Sequence, residues 1–280
     1  MKREHAEKRE AGGREAERLP KIRNIPLYAY GLFAKLAGTV LCAVIAPVTA
    51  LVLLIFRILR RKWAVFGRLS RALVAFSCRL FVFLLRLICF MKLKISDEDK
   101  KKLKGLRSAI VVANHPSVLD LPLLLALVPN ASLVLPPGRR FLTGLLKGVY
   151  PAASSWQDLL CGCRAARAQG TNIIIFPERR LTPRTGTNPY RRTAARISRE
   201  CACDIQPVYI GGSDKYGLGS PAAPFACCRS GLYLYELKLL PPLLLADYAQ
   251  LKDREASLAV TKKIHDEVSA EAYLSDYRIV

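Results

Sequence analysis

Apolar and polar positions divide the chain into stretches of different texture. Through residues 1–19, Lys and Arg alternate with Glu and apolar residues are few, the pattern of a solvated helix or a disordered tail. Leu36 to Phe56 is an uncharged run of 21 residues, long enough to cross a bilayer as a helix. Pro47 sits near its middle, where a kink or break is expected. Gly67 to Phe90 is apolar as well, but Arg68, Arg71, Arg79 and Arg86 interrupt it. At about 100° per residue these arginines fall within roughly 80° of arc, a single basic stripe on an otherwise apolar helix. Such a helix either lies in the plane of a membrane interface or is a soluble core helix with one wet face.

From residue 97 the texture becomes that of a soluble domain. Asp97 to Lys104 reads as a charged linker. Short β-branched runs then alternate with helical patterns. Strands are expected at Ala109–Ala113, Ser132–Leu135, Asn172–Phe176, Ile205–Ile210 and Leu232–Leu239. Helices are expected at Leu119–Leu127 and Glu255–Tyr273, and near Phe141–Lys147, Gln157–Ala168 and Tyr190–Cys201. This alternation predicts an α/β fold, a mainly parallel sheet covered by helices. The expected organisation is a charged tail (1–23), a membrane-associated helical hairpin (24–96) and an α/β domain (97–280). A chain starting near Asp97 is expected to be far more soluble than the whole.

Charge sharpens the membrane reading. The net charge is +22, and residues 24–90 hold nine Lys/Arg and no acid. The most apolar stretch is thus also the one free of acids, which favours an anionic bilayer over nucleic acid as the partner. Full crossing by residues 36–56 would put their two basic flanks on opposite sides of the membrane, against the positive-inside bias. A hairpin dipping into one leaflet keeps every basic residue on the cytoplasmic face. The tail has abundant acids and no apolar run, unlike a secretory signal, and the nine cysteines then read as reduced thiols. The pairs Cys161/Cys163 and Cys201/Cys203 are spaced too closely for a usual zinc site. Buried structural cysteine is the expectation, and no metal is expected.

The chain has three histidines: His5, His115 and His265. His5 lies in the charged tail and His265 reads as a solvated residue on a polar helix. His115 stands in Asn114-His115-Pro116-Ser117-Val118-Leu119-Asp120, where a strand ends and a helix begins. Open α/β sheets place their sites at that kind of junction. Asp120 could hold one imidazole nitrogen and leave the other free as a base. The alternative is structural: Ser117 and Asp120 form a capping-box-like pair, with His115 a plain loop residue.

The run Asn-His-Pro-Ser-Val-Leu-Asp resembles the His-x-x-x-x-Asp motif of the glycerophospholipid (lysophosphatidic acid) acyltransferase family. Arg139-Arg140-Phe141-Leu142-Thr143-Gly144 resembles the second block of that family. Ile173-Ile174-Ile175-Phe176-Pro177-Glu178 resembles the third, and Ile205-Gln206-Pro207-Val208-Tyr209-Ile210 the fourth. The resemblance spans roughly residues 90–240, with the blocks in family order, and implies that 97–280 is a catalytic domain. His115 would be the general base and Asp120 its partner. The donor would be acyl-CoA or an acyl-carrier protein, with no cofactor, and the acceptor a lysophospholipid-like alcohol. Cationic residues would hold the acceptor's phosphate.

The third block departs from the family's Phe-Pro-Glu-Gly-Thr-Arg, reading Phe176-Pro177-Glu178-Arg179-Arg180-Leu181. In the second, Pro136-Pro137 replaces a basic residue. The expected substrate-binding residues are therefore Pro177, Glu178, Arg139, Arg140 and whichever of Arg179, Arg180 and Arg184 supplies the displaced charge. A specialised-lipid or remodelling acyltransferase, or a catalytically silent lipid-binding homologue, are the alternatives these departures leave.

Overall fold

The computed structural model describes residues 25–59, 65–88, 91–134, 155–178, 180–182, 188–212 and 234–276. Two helices lead, α1 (Ile25–Leu59) and α2 (Val65–Ile88), packed against each other. Then follow β1 (Lys92–Lys94), α3 (Asp97–Gly105), β2 (Ile110–Ala113), α4 (Asp120–Leu127) and β3 (Ala131–Leu133). The chain continues through α5 (Trp156–Ala168), β4 (Asn172–Ile175), α6 (Thr193–Cys201), β5 (Ile205–Gly211), β6 (Leu234–Leu239) and α7 (Asp253–Asp276). The helix expected near Phe141–Lys147 lies outside the described residues.

The strands form one sheet in the order β1-β6-β5-β2-β4-β3. All neighbours are parallel except β5 and β6, which pair antiparallel with Val208 opposite Leu239 and Gly211 opposite Glu236. The expected mainly parallel, helix-covered sheet is therefore what forms. Side chains alternate across it, as strand geometry requires. Val111, Ala113, Ile174, Val208 and Ile210 face α1, α2 and α4, while Ile110, Val112, Ile173, Ile175 and Tyr209 face α5, α6 and α7. Gly212 follows β5 at φ +116°, and a Cβ there would meet the Leu234 carbonyl oxygen at 2.1 Å. Only glycine fits that junction.

Three departures from the sequence reading have physical causes. Asp97–Gly105 is a helix, not a linker. The Ser96 side chain accepts the Asp99 N–H, acids fill the first turn, Lys102 and Lys104 fill the last, and Leu103 is buried. Capping and dipole complementarity thus outweigh the segment's polarity. Helix α1 runs unbroken through Pro47. There Thr49 Oγ1 donates to Ile45 O and accepts the Ser77 hydroxyl of α2, each at 2.8 Å, tying the hairpin together beside the proline. The arginine stripe of α2 is in part a protein contact. Arg71 is buried, with Nε donating to Asn130 Oδ1 at 2.8 Å and Nη2 to Gln169 Oε1 at 3.0 Å. Arg79 Nε donates to the Ala126 carbonyl near the end of α4 at 3.0 Å.

The outward faces of the hairpin are apolar. Leu36, Val40, Val44, Val48 and Leu51 stand exposed along α1, and Leu69, Phe76, Phe83 and Leu87 along α2. Ala29–Ile55 is the one helix long and apolar enough to cross a membrane among the described residues. On their inner side both helices join the main core, where Ala34, Phe81, Val82 and Leu85 pack with Leu123 and Leu124 of α4. Helix α4, Asp-Leu-Pro-Leu-Leu-Leu-Ala-Leu, is apolar nearly all round and must be covered on every side. By this packing a chain starting near Asp97 would expose the face of α4 that α2 now covers.

Candidate active site

The site is assembled where β2 ends and α4 begins. Asn114, buried, clamps the end of β2 to β5. Its Nδ2 donates to Ile210 O at 2.9 Å and its Oδ1 accepts the Ile210 N–H at 2.7 Å. The next residue, His115, is thereby held at the carboxyl edge of the sheet. The start of α4 brings the fully buried Asp120 back beneath it, with Oδ2 2.9 Å from His115 Nδ1. The same oxygen accepts the Ser117 N–H at 2.7 Å, and Oδ1 accepts the Ser117 hydroxyl at 3.0 Å. Ser117 Oγ in turn accepts the Leu119 N–H at 3.1 Å. One carboxylate thus touches both the His115 ring and Ser117, while the N-cap residue of α4, Leu119, makes no side-chain capping bond.

Burial pushes the Asp120 carboxyl above the usual carboxylate range, against the pull of His115 and the two Ser117 donors. Where Asp120 is ionised and His115 neutral, this contact takes the Nδ1–H tautomer and leaves the Nε2 lone pair available. Nε2 bonds to no described residue, and the imidazole is 24% exposed. The ring stacks on Phe176 at 4.2 Å between centroids, which fixes its plane.

A second loop supports the histidine from behind. Glu178, buried, accepts the His115 N–H through Oε1 at 3.2 Å and the Thr182 hydroxyl at 2.5 Å. Thr182 Oγ1 also accepts the His115 N–H at 2.9 Å, and Thr182 N donates to His115 O at 2.8 Å. The other Glu178 oxygen is held by Asn188 Nδ2 at 2.6 Å. Pro177, also buried, accepts the Arg191 N–H through its carbonyl. The structure thus brings His115, Asp120, Pro177 and Glu178 together, with Glu178 turned under the histidine. Arg180 stands exposed at the edge of this loop. Arg139, Arg140, Arg179 and Arg184 lie outside the described residues.

Thr182, Asn188 and Asn114 were not singled out in the sequence. Only the closeness of Asn114 and Thr182 to the two motifs could have flagged them. His265 is not the free surface residue expected, since it packs edge-on against Tyr190 at 5.1 Å. The buried thiols of Cys163, Cys201 and Cys203 are all pushed up, chiefly by burial and to about 12 for Cys163. That suppresses thiolate and fits a packing role.

No protein-family model matches the chain, and no curated protein matches it in sequence. Among solved structures it is similar to the 1-acyl-sn-glycerophosphate (LPA) acyltransferase of Thermotoga maritima, with a TM-score of 0.58. Identity is 20%, and the match covers 90% of this chain and 100% of that one. At that identity the likeness is one of fold.

Proposed function

We propose that the protein is a membrane-associated acyltransferase that moves a fatty acyl group from a thioester to the hydroxyl of a lysophospholipid-like acceptor. The observation that carries this reading is the His115–Asp120 contact, built at the carboxyl edge of β2 with Nε2 left uncommitted. Nε2 takes the proton of the acceptor hydroxyl as its oxygen attacks the thioester carbonyl. Asp120 stabilises the imidazolium that forms. Collapse of the tetrahedral intermediate expels the thiolate, which recovers the proton, so no acyl-enzyme forms. The fold of the Thermotoga maritima acyltransferase supports the reaction class. Acyl-CoA and an acyl-carrier protein both fit as donor.

The exposed apolar faces of α1 and α2 support seating in one leaflet from the cytoplasmic side, with Arg68 and Arg86 at the interface. The acceptor's phosphate falls to arginines of the third block, among which Arg180 is exposed beside His115's loop. Because Arg179-Arg180-Leu181 departs from the family pattern, a specialised-lipid or remodelling acceptor is the second reading.

The test is lipid mass spectrometry of cells expressing wild type or His115→Ala. The backbone bonds of His115 to Glu178 and Thr182 survive the substitution, so folding should hold while turnover drops by about 10² to 10⁴. Indistinguishable lipid profiles, with both proteins folded and membrane-bound, would sink the assignment.

A further inference from the structure

One cleft has no part in the site above. It lies between the last turns of α2 and the edge strand β1, holds about 880 Å³, and is lined chiefly by apolar surface. Phe83 and Leu87 of α2 form one wall and Leu93 and Leu234 another, with Arg86 and Lys92 at the rim. No acid lines it. Lys94, also at the rim, is taken by Glu236 at 3.0 Å. Arg86 and Lys92 have no carboxylate partner among the described residues. Phe83 and Leu87 belong to the exposed apolar face of α2, so the cleft opens directly from that face.

Sheet topology fixes where the cleft sits relative to His115. Because β6 runs antiparallel to β5, its first residue, Leu234, lies at the end of the sheet where β5 and β2 finish. Strand β1 is parallel to β6 with Lys92 opposite Leu234. The cationic rim of the cleft is therefore on the same edge of the sheet as His115. Across the sheet it stands three strand spacings away, about 14 Å, and it lies about three residues further along the strand direction.

We propose that this cleft binds one anionic phospholipid drawn from the bilayer, its phosphate on Arg86 and Lys92 and its chain over Phe83, Leu87 and Leu93. The proposal rests on the membrane reading above. Two cations with no carboxylate partner among the described residues, bordering an apolar trough lined by no described acid, match a molecule with an anionic head and an apolar tail, and the trough's continuity with the exposed apolar face of α2 supplies the route in. Bound there, the lipid is staged on the catalytic edge. A cleft of this size is in the range of ligand sites generally.

The experiment is native mass spectrometry of the full chain in detergent, incubated with dioleoyl phosphatidylglycerol or dioleoyl phosphatidylcholine. Wild type should retain one phosphatidylglycerol and little phosphatidylcholine. Arg86→Ala and Lys92→Ala should each weaken retention about ten- to a hundredfold, the loss of one charge-assisted phosphate contact. Lys262→Ala, which removes an exposed cation of α7 outside the cleft, should leave retention intact. Equal retention in all three variants, or equal uptake of both lipids, overturns the site. Sedimentation of wild type with 3:1 phosphatidylcholine–phosphatidylglycerol vesicles separates the two failures. Wild type that sediments with unaltered retention in the variants removes only the cleft. Wild type that stays in solution removes the membrane reading as well.

Discussion

Replacing Asp120 by Asn separates the two roles this carboxylate combines. The side chain accepts His115 Nδ1 and Ser117 N on Oδ2 and the Ser117 hydroxyl on Oδ1. An asparagine oxygen in the Oδ2 position accepts the first two just as well, and its amide donates to Ser117 Oγ in place of the third. The local structure is therefore conserved and the negative charge lost. Burial holds the Asp120 carboxyl above its ordinary range, so the folded state binds this proton more tightly than the unfolded state does. The stabilising contribution of such a group is complete below the unfolded carboxylate pKa and is lost as pH rises through the folded one. At neutral pH the buried charge is a cost to folding, and asparagine removes it. Asp120→Asn should then unfold at a temperature equal to or above wild type at pH 7, the difference closing on acidification. Without a charge to stabilise the imidazolium, turnover should fall by about 10² to 10⁴, or about 3–5 kcal/mol in the barrier at 1.36 kcal/mol per tenfold. Asp120→Ala should lose both, because the buried Ser117 N–H is orphaned at about 1–3 kcal/mol. Thermal unfolding and single-turnover acyl transfer, each across pH, measure the two. Wild-type turnover in Asp120→Asn, or a loss of activity matched by a loss of folding, would refute the reasoning.

The other expectations are narrower. Thr182→Val removes the hydroxyl bridging Glu178 and the His115 N–H and should cost about 1–3 kcal/mol of stability, with turnover reduced but not abolished; denaturant melts and initial rates check this. Arg71→Met should loosen the hairpin from the α/β layer, visible as faster proteolysis and hydrogen exchange around Asn130 and Gln169, and unchanged exchange there would contradict it. Arg180→Ala should raise the apparent Michaelis constant for the acceptor about ten- to a hundredfold and spare that for the thioester. If Arg179→Ala and Arg184→Ala leave acceptor kinetics unchanged as well, the third-block arginines do not hold the phosphate.

The strands and the dyad could be read from sequence because their signals are local. Ile110–Ala113 and Asn172–Ile175 are short apolar runs bounded by polar residues, and His115 and Asp120 straddle a strand end and a helix start. Helix α3 was equally local, with Ser96 as cap, acids first and lysines last, but its heavy charge masked those signals. Strand β1, Lys-Leu-Lys, is too short to show a period. The inward turn of Arg71 could not be read, since Asn130 and Gln169 lie 59 and 98 residues away in the chain. The same holds for Thr182 and Asn188, loop residues whose importance comes only from where Glu178 is placed.

The shared core of the hairpin and α4 bears on how the protein is made. Helices α1 and α2 leave the ribosome before any strand of the sheet exists, and until α4 is synthesised their inner sides have only each other to pack against. Among the described helices, α4 in turn packs chiefly against α2. On the proposed membrane seating, assembly of the α/β layer is tied to a hairpin already in place, and the bilayer would serve as a template as well as an address. A solvent that draws the hairpin away from α4 should therefore unravel the helix that carries Asp120 instead of releasing a working enzyme into solution.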